Sequence, residues 1–145
     1  MRNETPVHIV LHSTIEYDHA PAEKTELHIQ GRFYEKNGLR YLLYKEELPD
    51  IGTVDHTIKV GGGEGLILRK GEISMRQPLR VASSTEGHYS GPFGAMATLT
   101  DTDRCEAQWD DENGIGKIML RYHLYLQGTS VGRFSLTFNL RRAKS

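Results

Sequence analysis

The chain has 145 residues, 18 of them basic and 19 acidic, for a formal net charge of −1; this length fits one domain with one sizeable core, and the balanced, interspersed charge gives no reason to expect a nucleic-acid or membrane partner. A single cysteine, Cys105, excludes an intramolecular disulfide, and no run approaches the roughly 18 apolar residues that a membrane-crossing helix needs. Arg2, Asn3 and Glu4 stand where a secretory leader would turn from basic to apolar, so the expected location is the cytoplasm.

Val7, Ile9, Leu11, Ser13 and Ile15 share one face of an alternating run, and His8, Val10, His12 and Thr14 share the other. Period-two alternation of this kind is the signature of a half-buried strand. After a turn region at Tyr17 to Glu23, the row Leu27, Ile29, Gly31 and Phe33 resumes the pattern, and a second strand returns beside the first. Asn37-Gly38 is the strongest hairpin signal, because both central residues of a type I′ turn need positive φ. It pairs Lys36 with Leu39, Phe33 with Leu42 and Tyr34 with Tyr41, which points Leu42 and Tyr44 inward and Tyr41 and Leu43 outward. Periodicity alone does not choose between these faces, since both are apolar.

Lys45 to Gly52 reads as an acidic, proline-containing loop. Val54, His56, Ile58 and Val60 then form a strand that stops at Gly61-Gly62-Gly63, and two brief strands follow, one with Leu66 and Leu68, the other with Ile73, Met75 and Gln77 before Pro78. Leu79 to Gly94 is irregular, with Tyr89 and Phe93 as its expected anchors. Ala95 to Thr100 has strand composition, and Arg104 to Asp110 reads as strand or as a single helical turn.

The strongest alternation lies at the C-terminal end, where Ile118, Leu120, Tyr122, Leu124 and Leu126 form one apolar row and Phe134, Leu136, Phe138 and Leu140 the next. Each of these side chains contributes roughly 1.5–3 kcal/mol on full burial. Matching the two rows across an antiparallel pair requires an odd connection, for example Gln127 to Val131, with Leu124 opposite Phe134 and Leu120 opposite Phe138. No stretch carries a helical stripe. The fold class is therefore all-β: about eight to nine strands in a single antiparallel barrel spanning residues 1–145, closed by pairing the first strand with the last.

Gly31-Arg32-Phe33-Tyr34 with Tyr41 to Glu47, Thr57-Ile58-Lys59-Val60, Arg69 and Gly71 followed by Met75, Tyr89 with Pro92-Phe93-Gly94, and Tyr122 with the closing strand occur in an order that resembles the YwiB-like family of bacterial proteins. The resemblance covers almost the whole chain, and its specificity lies in the order and spacing of the motifs. The chain departs from the family pattern at Gln77-Pro78-Leu79, where an aromatic is typical, and at Ser90-Gly91-Pro92, where a threonine usually precedes the proline. The resemblance implies a calycin-like, lipocalin-like barrel. It carries over no catalytic residue, because the family has no assigned function.

His56 is the one histidine in phase with an apolar row. Inside a barrel it can bind a ligand, coordinate haem iron, act as a base, or be a core histidine hydrogen-bonded to a neighbour such as Tyr122 or a backbone carbonyl. His8 and His12 stand about 13 Å apart at roughly 3.3 Å per residue, too far to share a metal by themselves. His28 and His123 belong to outward rows, and no Cys or carboxylate pair stands at zinc spacing, so no metal or other cofactor is expected. Gly61 to Gly65 lacks the Gly-Lys-Ser/Thr ending of a phosphate loop, Ser83, Ser84 and Ser90 lie in no nucleophile elbow, and Cys105 has no recognisable histidine partner. Arg69, Tyr89 and Tyr122 can place polar groups near a cavity.

These readings lead to a non-enzymatic cytoplasmic binding module for a small, partly apolar molecule contacted by Leu42, Tyr44, His56, Tyr122 and Phe138. Two rivals remain: a haem protein or enzyme using His56, and a scaffold that forms a homodimer through an outer face of Tyr34, Tyr41 and Leu43. No basic stripe accompanies the aromatics, which argues against an oligonucleotide-binding barrel.

Overall fold

A computed structural model describes residues 3–92 and 94–143 and contains ten strands in chain order. They are β1 (Thr5–Tyr17), β2 (Glu23–Lys36), β3 (Leu39–Leu48), β4 (Gly52–Gly61), β5 (Glu64–Gly71), β6 (Ser74–Arg80), β7 (Ser83–Gly91), β8 (Gly94–Asp110), β9 (Ile115–Leu126) and β10 (Thr129–Arg142). Each pairs antiparallel with the next, and β1 pairs with β10 from Val7↔Arg142 to Tyr17↔Gly132, which closes the sheet into a barrel. Closure leaves no full-length edge, so the long apolar rows of β1 and β10 are paired and covered instead of offered to another chain. Phe93, Arg2 and Lys144 lie outside the described residues.

The strand count is ten, not eight or nine. Ser83–Gly91, read as irregular, is an additional strand, β7. The segments Ala95 to Thr100 and Arg104 to Asp110 are one strand, β8, interrupted by a bulge. The extra residue, Asp103, falls between Thr102 and Arg104 and switches the inward set from even to odd positions, so that Thr98, Thr100 and Thr102 point inward before it and Cys105 after it. Without the bulge, Cys105 would be turned towards solvent.

Asn37 (φ 55°) and Gly38 (φ 78°) form the expected turn, with Lys36↔Leu39, Phe33↔Leu42 and Tyr34↔Tyr41 in register. The C-terminal hairpin differs from the sequence expectation by two residues. Tyr122, not Leu124, stands opposite Phe134, and Leu120 stands opposite Leu136. The turn is the two-residue Gln127-Gly128, both at positive φ, and the odd residue needed to match the apolar faces is supplied by a bulge at Val131. A tight turn plus a bulge satisfies the same parity as an odd loop while keeping two further ladder pairs.

The barrel is sealed at one end and hollow at the other. At the sealed end Val7, Ile9, Phe33, Leu42, Ile118 and Leu140 are all 3% exposed or less. Trp109 stacks on Phe33 there at 4.5 Å between ring centroids, and Arg40 of β3 reaches across to donate from Nη1 to the Ala107 carbonyl of β8. β5 approaches β8 closely enough that a Cβ on Gly65 would sit 2.6 Å from Cys105 Sγ. The seam between β6 and β7 is the thinnest, with ladder partners only from Ser74↔Ser90 to Arg76↔His88. Pro78 lacks the N–H to continue it. The fully buried Gln77 fills the gap: its Nε2 donates to the Pro78 carbonyl and to Thr100 Oγ1, and its Oε1 accepts from Thr98 Oγ1.

Candidate functional site

Beyond Phe138 the interior opens into a cavity of about 340 Å³ at the end of the barrel that carries the 48–52 and 71–74 connections. Its wall is mostly apolar, with Ile15, Leu27, Phe134 and Leu136 half-buried towards the mouth and Phe138 (1% exposed) towards the floor. One arc of the wall is polar. Tyr44 of β3, His56 of β4 and Arg69 of β5 are consecutive cross-strand partners in the ladder, so a single inward row brings all three to the same depth. Glu46, two residues beyond Tyr44 on the same face, lies above them, and Tyr122 faces them from β9.

His56 is 6% exposed, its ring stacked on Tyr44 at 4.4 Å and 8°, and its Nε2 lies 2.9 Å from Glu46 Oε1. A ring nitrogen bound to a carboxylate carries the proton, so Nε2–H donates to Glu46. Burial pushes the histidine below its ordinary pKa, and the Arg69 charge adds to this against the opposing pull of Glu46. His56 is thus a neutral, hydrogen-bonded core histidine whose partner is Glu46 in place of Tyr122 or a backbone carbonyl. With one ring face under Tyr44 and Nε2 engaged, it offers no free Nε2 to iron or a substrate.

Burial also raises both tyrosines above the usual phenol range, against the opposing charge of Arg69, so both hydroxyls are protonated at neutral pH. Tyr44 and Tyr122 are 8% and 3% exposed, and among the described residues neither hydroxyl has a protein hydrogen-bond partner. Tyr122 stacks on Phe134 at 5.4 Å. Arg69 lines the same space, and its Nε is buried without an acceptor.

Of the residues expected at a ligand site, the fold brings Tyr44, His56, Tyr122 and Phe138 to one cavity. Leu42 is separated from them: it points inward as expected, but it is fully buried in the sealed half and does not line the hollow. Glu46 was missed because Lys45 to Gly52 reads as a loop, whereas β3 continues to Leu48. Extending the parity of Leu42 and Tyr44 by one more step would have found it. Tyr89 is half-buried and lies off the cavity. On the outer face Tyr34 is not exposed: it is 6% accessible and stacked on Tyr41 at 4.5 Å.

Other polar clusters lie outside the barrel. Ser130 donates to Asp18 and lies 2.6 Å from His123 Nε2, joining the turn after β1 to the C-terminal hairpin. Glu26 lies between His12 and His28, and among the described residues no group of three or more His, Cys, Asp or Glu side chains is arranged to hold a metal. A more open hollow of about 560 Å³ runs over His8, Val10, Lys117 and Asn139 on the outer wall and gathers no comparable set of inward polar groups.

The family model described as a domain of unknown function, DUF1934, matches residues 9–138. The chain is 33% identical over 126 residues to the uncharacterized beta-barrel protein YwiB of Bacillus subtilis strain 168, covering 87% of this chain and 86% of that one. It also superposes on the crystal structure of the YwiB protein from Bacillus subtilis with a TM-score of 0.86 and 29% identity, over 99% of this chain and 96% of that chain.

Proposed function

The chain belongs to the DUF1934 family, and from that premise we propose that it is a non-catalytic binding protein that holds a small, partly apolar molecule in the open end of a calycin-like barrel. The observation that carries this reading is the cavity itself. At about 340 Å³ it falls within the range of roughly 300–1,000 Å³ typical of small-molecule sites, and at about 30 Å³ per water it would otherwise hold on the order of ten waters against a largely apolar wall. The cross-strand row of Tyr44, His56 and Arg69 supplies the few convergent polar groups such sites use to orient a ligand. A fold does not entail a function, so the reading stands on the wall of this cavity and not on the barrel. The outer surface carries charged pairs in mid-strand, such as Arg121 with Asp103 and Lys45 with Asp55. Such a face suits water and not lipid, in keeping with a cytoplasmic protein.

Native mass spectrometry of gently purified protein tests this directly, paired with a Leu136→Trp variant that fills the mouth. The expected result is extra mass that leaves on unfolding and is absent from the variant. Bare protein that also takes up none of a library of small amphiphiles by ligand-observed NMR would refute the reading.

A further inference from the structure

We propose that the polar end of the ligand is a singly charged anion, a carboxylate, seated on Arg69 with the hydroxyls of Tyr44 and Tyr122 as its neighbours. This rests on the reading of the mouth cavity as a ligand site and names the chemistry that site selects.

The arginines of the described chain separate cleanly. Arg32, Arg40, Arg80, Arg104, Arg121 and Arg142 each stand within ion-pair distance of a carboxylate. Of those that do not, Arg76, Arg133 and Arg141 are exposed to water, while Arg69 is half-buried in the cavity wall. A guanidinium cannot shed its proton to escape burial, and the Nε of Arg69 has no acceptor. Among the described residues the only carboxylate on the cavity wall is Glu46, and it is occupied: its Oε1 accepts from His56 at 2.9 Å, and it does not reach Arg69. The fold thus holds a permanent cation against an apolar space and gives its own acid to a different partner.

The two unpartnered phenols add donors, not charge, in the same wall. One cation with neutral donors matches a monoanion, whose two oxygens suit the guanidinium fork. A dianion would bring a second charge with nothing to meet it. The rest of the lining, from Phe138 to Ile15, takes an aliphatic or aromatic tail.

The test is a head-group series on one tail, octanoate, octanol and octylamine, titrated calorimetrically into the wild-type protein and into Arg69→Gln. Octanoate is expected to bind at least tenfold more tightly than octanol, and Arg69→Gln to erase that preference. Octanol binding as well as octanoate, or octylamine binding best through Glu46, would overturn the anion assignment and leave the cavity reading intact. Failure of all three to bind would overturn the cavity reading and the assignment with it. Should Arg69→Gln not fold, the wild-type ranking alone decides.

Discussion

Phe138 forms the boundary between the sealed half of the barrel and the hollow half, so replacing it with alanine measures what that boundary contributes. It is 1% exposed, pairs with Leu11 on one side and Ile118 on the other, and tilts against Tyr44 at 6.2 Å. Removing a buried phenylalanine ring costs about 3–5 kcal/mol, part of it for the void left behind. Here the void joins an existing cavity that opens towards the mouth, so water can follow and the cost falls at the low end, about 3 kcal/mol. At roughly 2–4 °C per kcal/mol for a domain near this size, the melting temperature should drop by about 10 °C. Urea unfolding followed by the fluorescence of Trp109, the only tryptophan, reads the change from the opposite end of the barrel. Leu42→Ala is the matched control, because Leu42 is fully buried in the sealed half, where the void stays dry and the loss should lie near the upper part of the ~2–5 kcal/mol range for Leu→Ala. A Phe138→Ala cost below about 1 kcal/mol, or a Leu42→Ala cost clearly below that of Phe138→Ala, would refute the division into a sealed half and a hollow half.

Three further outcomes follow from named groups. The pKa of His56 is depressed in the folded state, so its stabilising contribution is complete above the ordinary value of 6.5 and is lost as pH falls through the folded value; His56→Gln should flatten the fall in unfolding free energy between neutral and mildly acidic pH, and identical slopes for the two proteins would contradict this. Gln77→Leu leaves Thr98 and Thr100 of β8 without their amide partner from β6, behind the thin β6–β7 seam, at a cost of about 1–3 kcal/mol per unsatisfied group; urea titration should show at least the lower figure, and a neutral substitution would mean the amide is dispensable. Cys105 is 4% exposed, and burial pushes its thiol up to about 11. It should resist a thiol reagent at pH 8 until the barrel is unfolded, and rapid labelling of the native protein would show that the sealed end opens.

The strands that were legible in the sequence are those with one predominantly apolar face. β1, β4, β9 and β10 alternate because one side meets the core and the other meets water, and period two records that division residue by residue. The Asn37-Gly38 turn was legible for an equally local reason, since positive φ at two successive residues restricts the choice of side chain. β7 was illegible because its inward row, including Thr85 and Gly87, faces the polar Gln77 and threonine cluster and not an apolar core. The C-terminal hairpin was legible in face but not in register: parity demanded one odd residue, and nothing local says whether a loop or a bulge supplies it.

The candidate site divides in the same way. That His56 points inward follows from Val54 and Ile58 on either side of it, and Tyr44 follows from the turn that sets its strand. That Glu46 accepts the hydrogen bond of His56, that Arg69 is left without a carboxylate, and that Leu42 belongs to the sealed half and not to the cavity depend on the ladder across β3, β4 and β5 and on where the barrel is pinched shut. The sequence by itself determined which side of the alternating strands is dry, because burial leaves its period in the chain. Only the tertiary structure decided which side chains meet and where space remains, because pairing, closure and bulges join residues that carry no mark of one another along the chain.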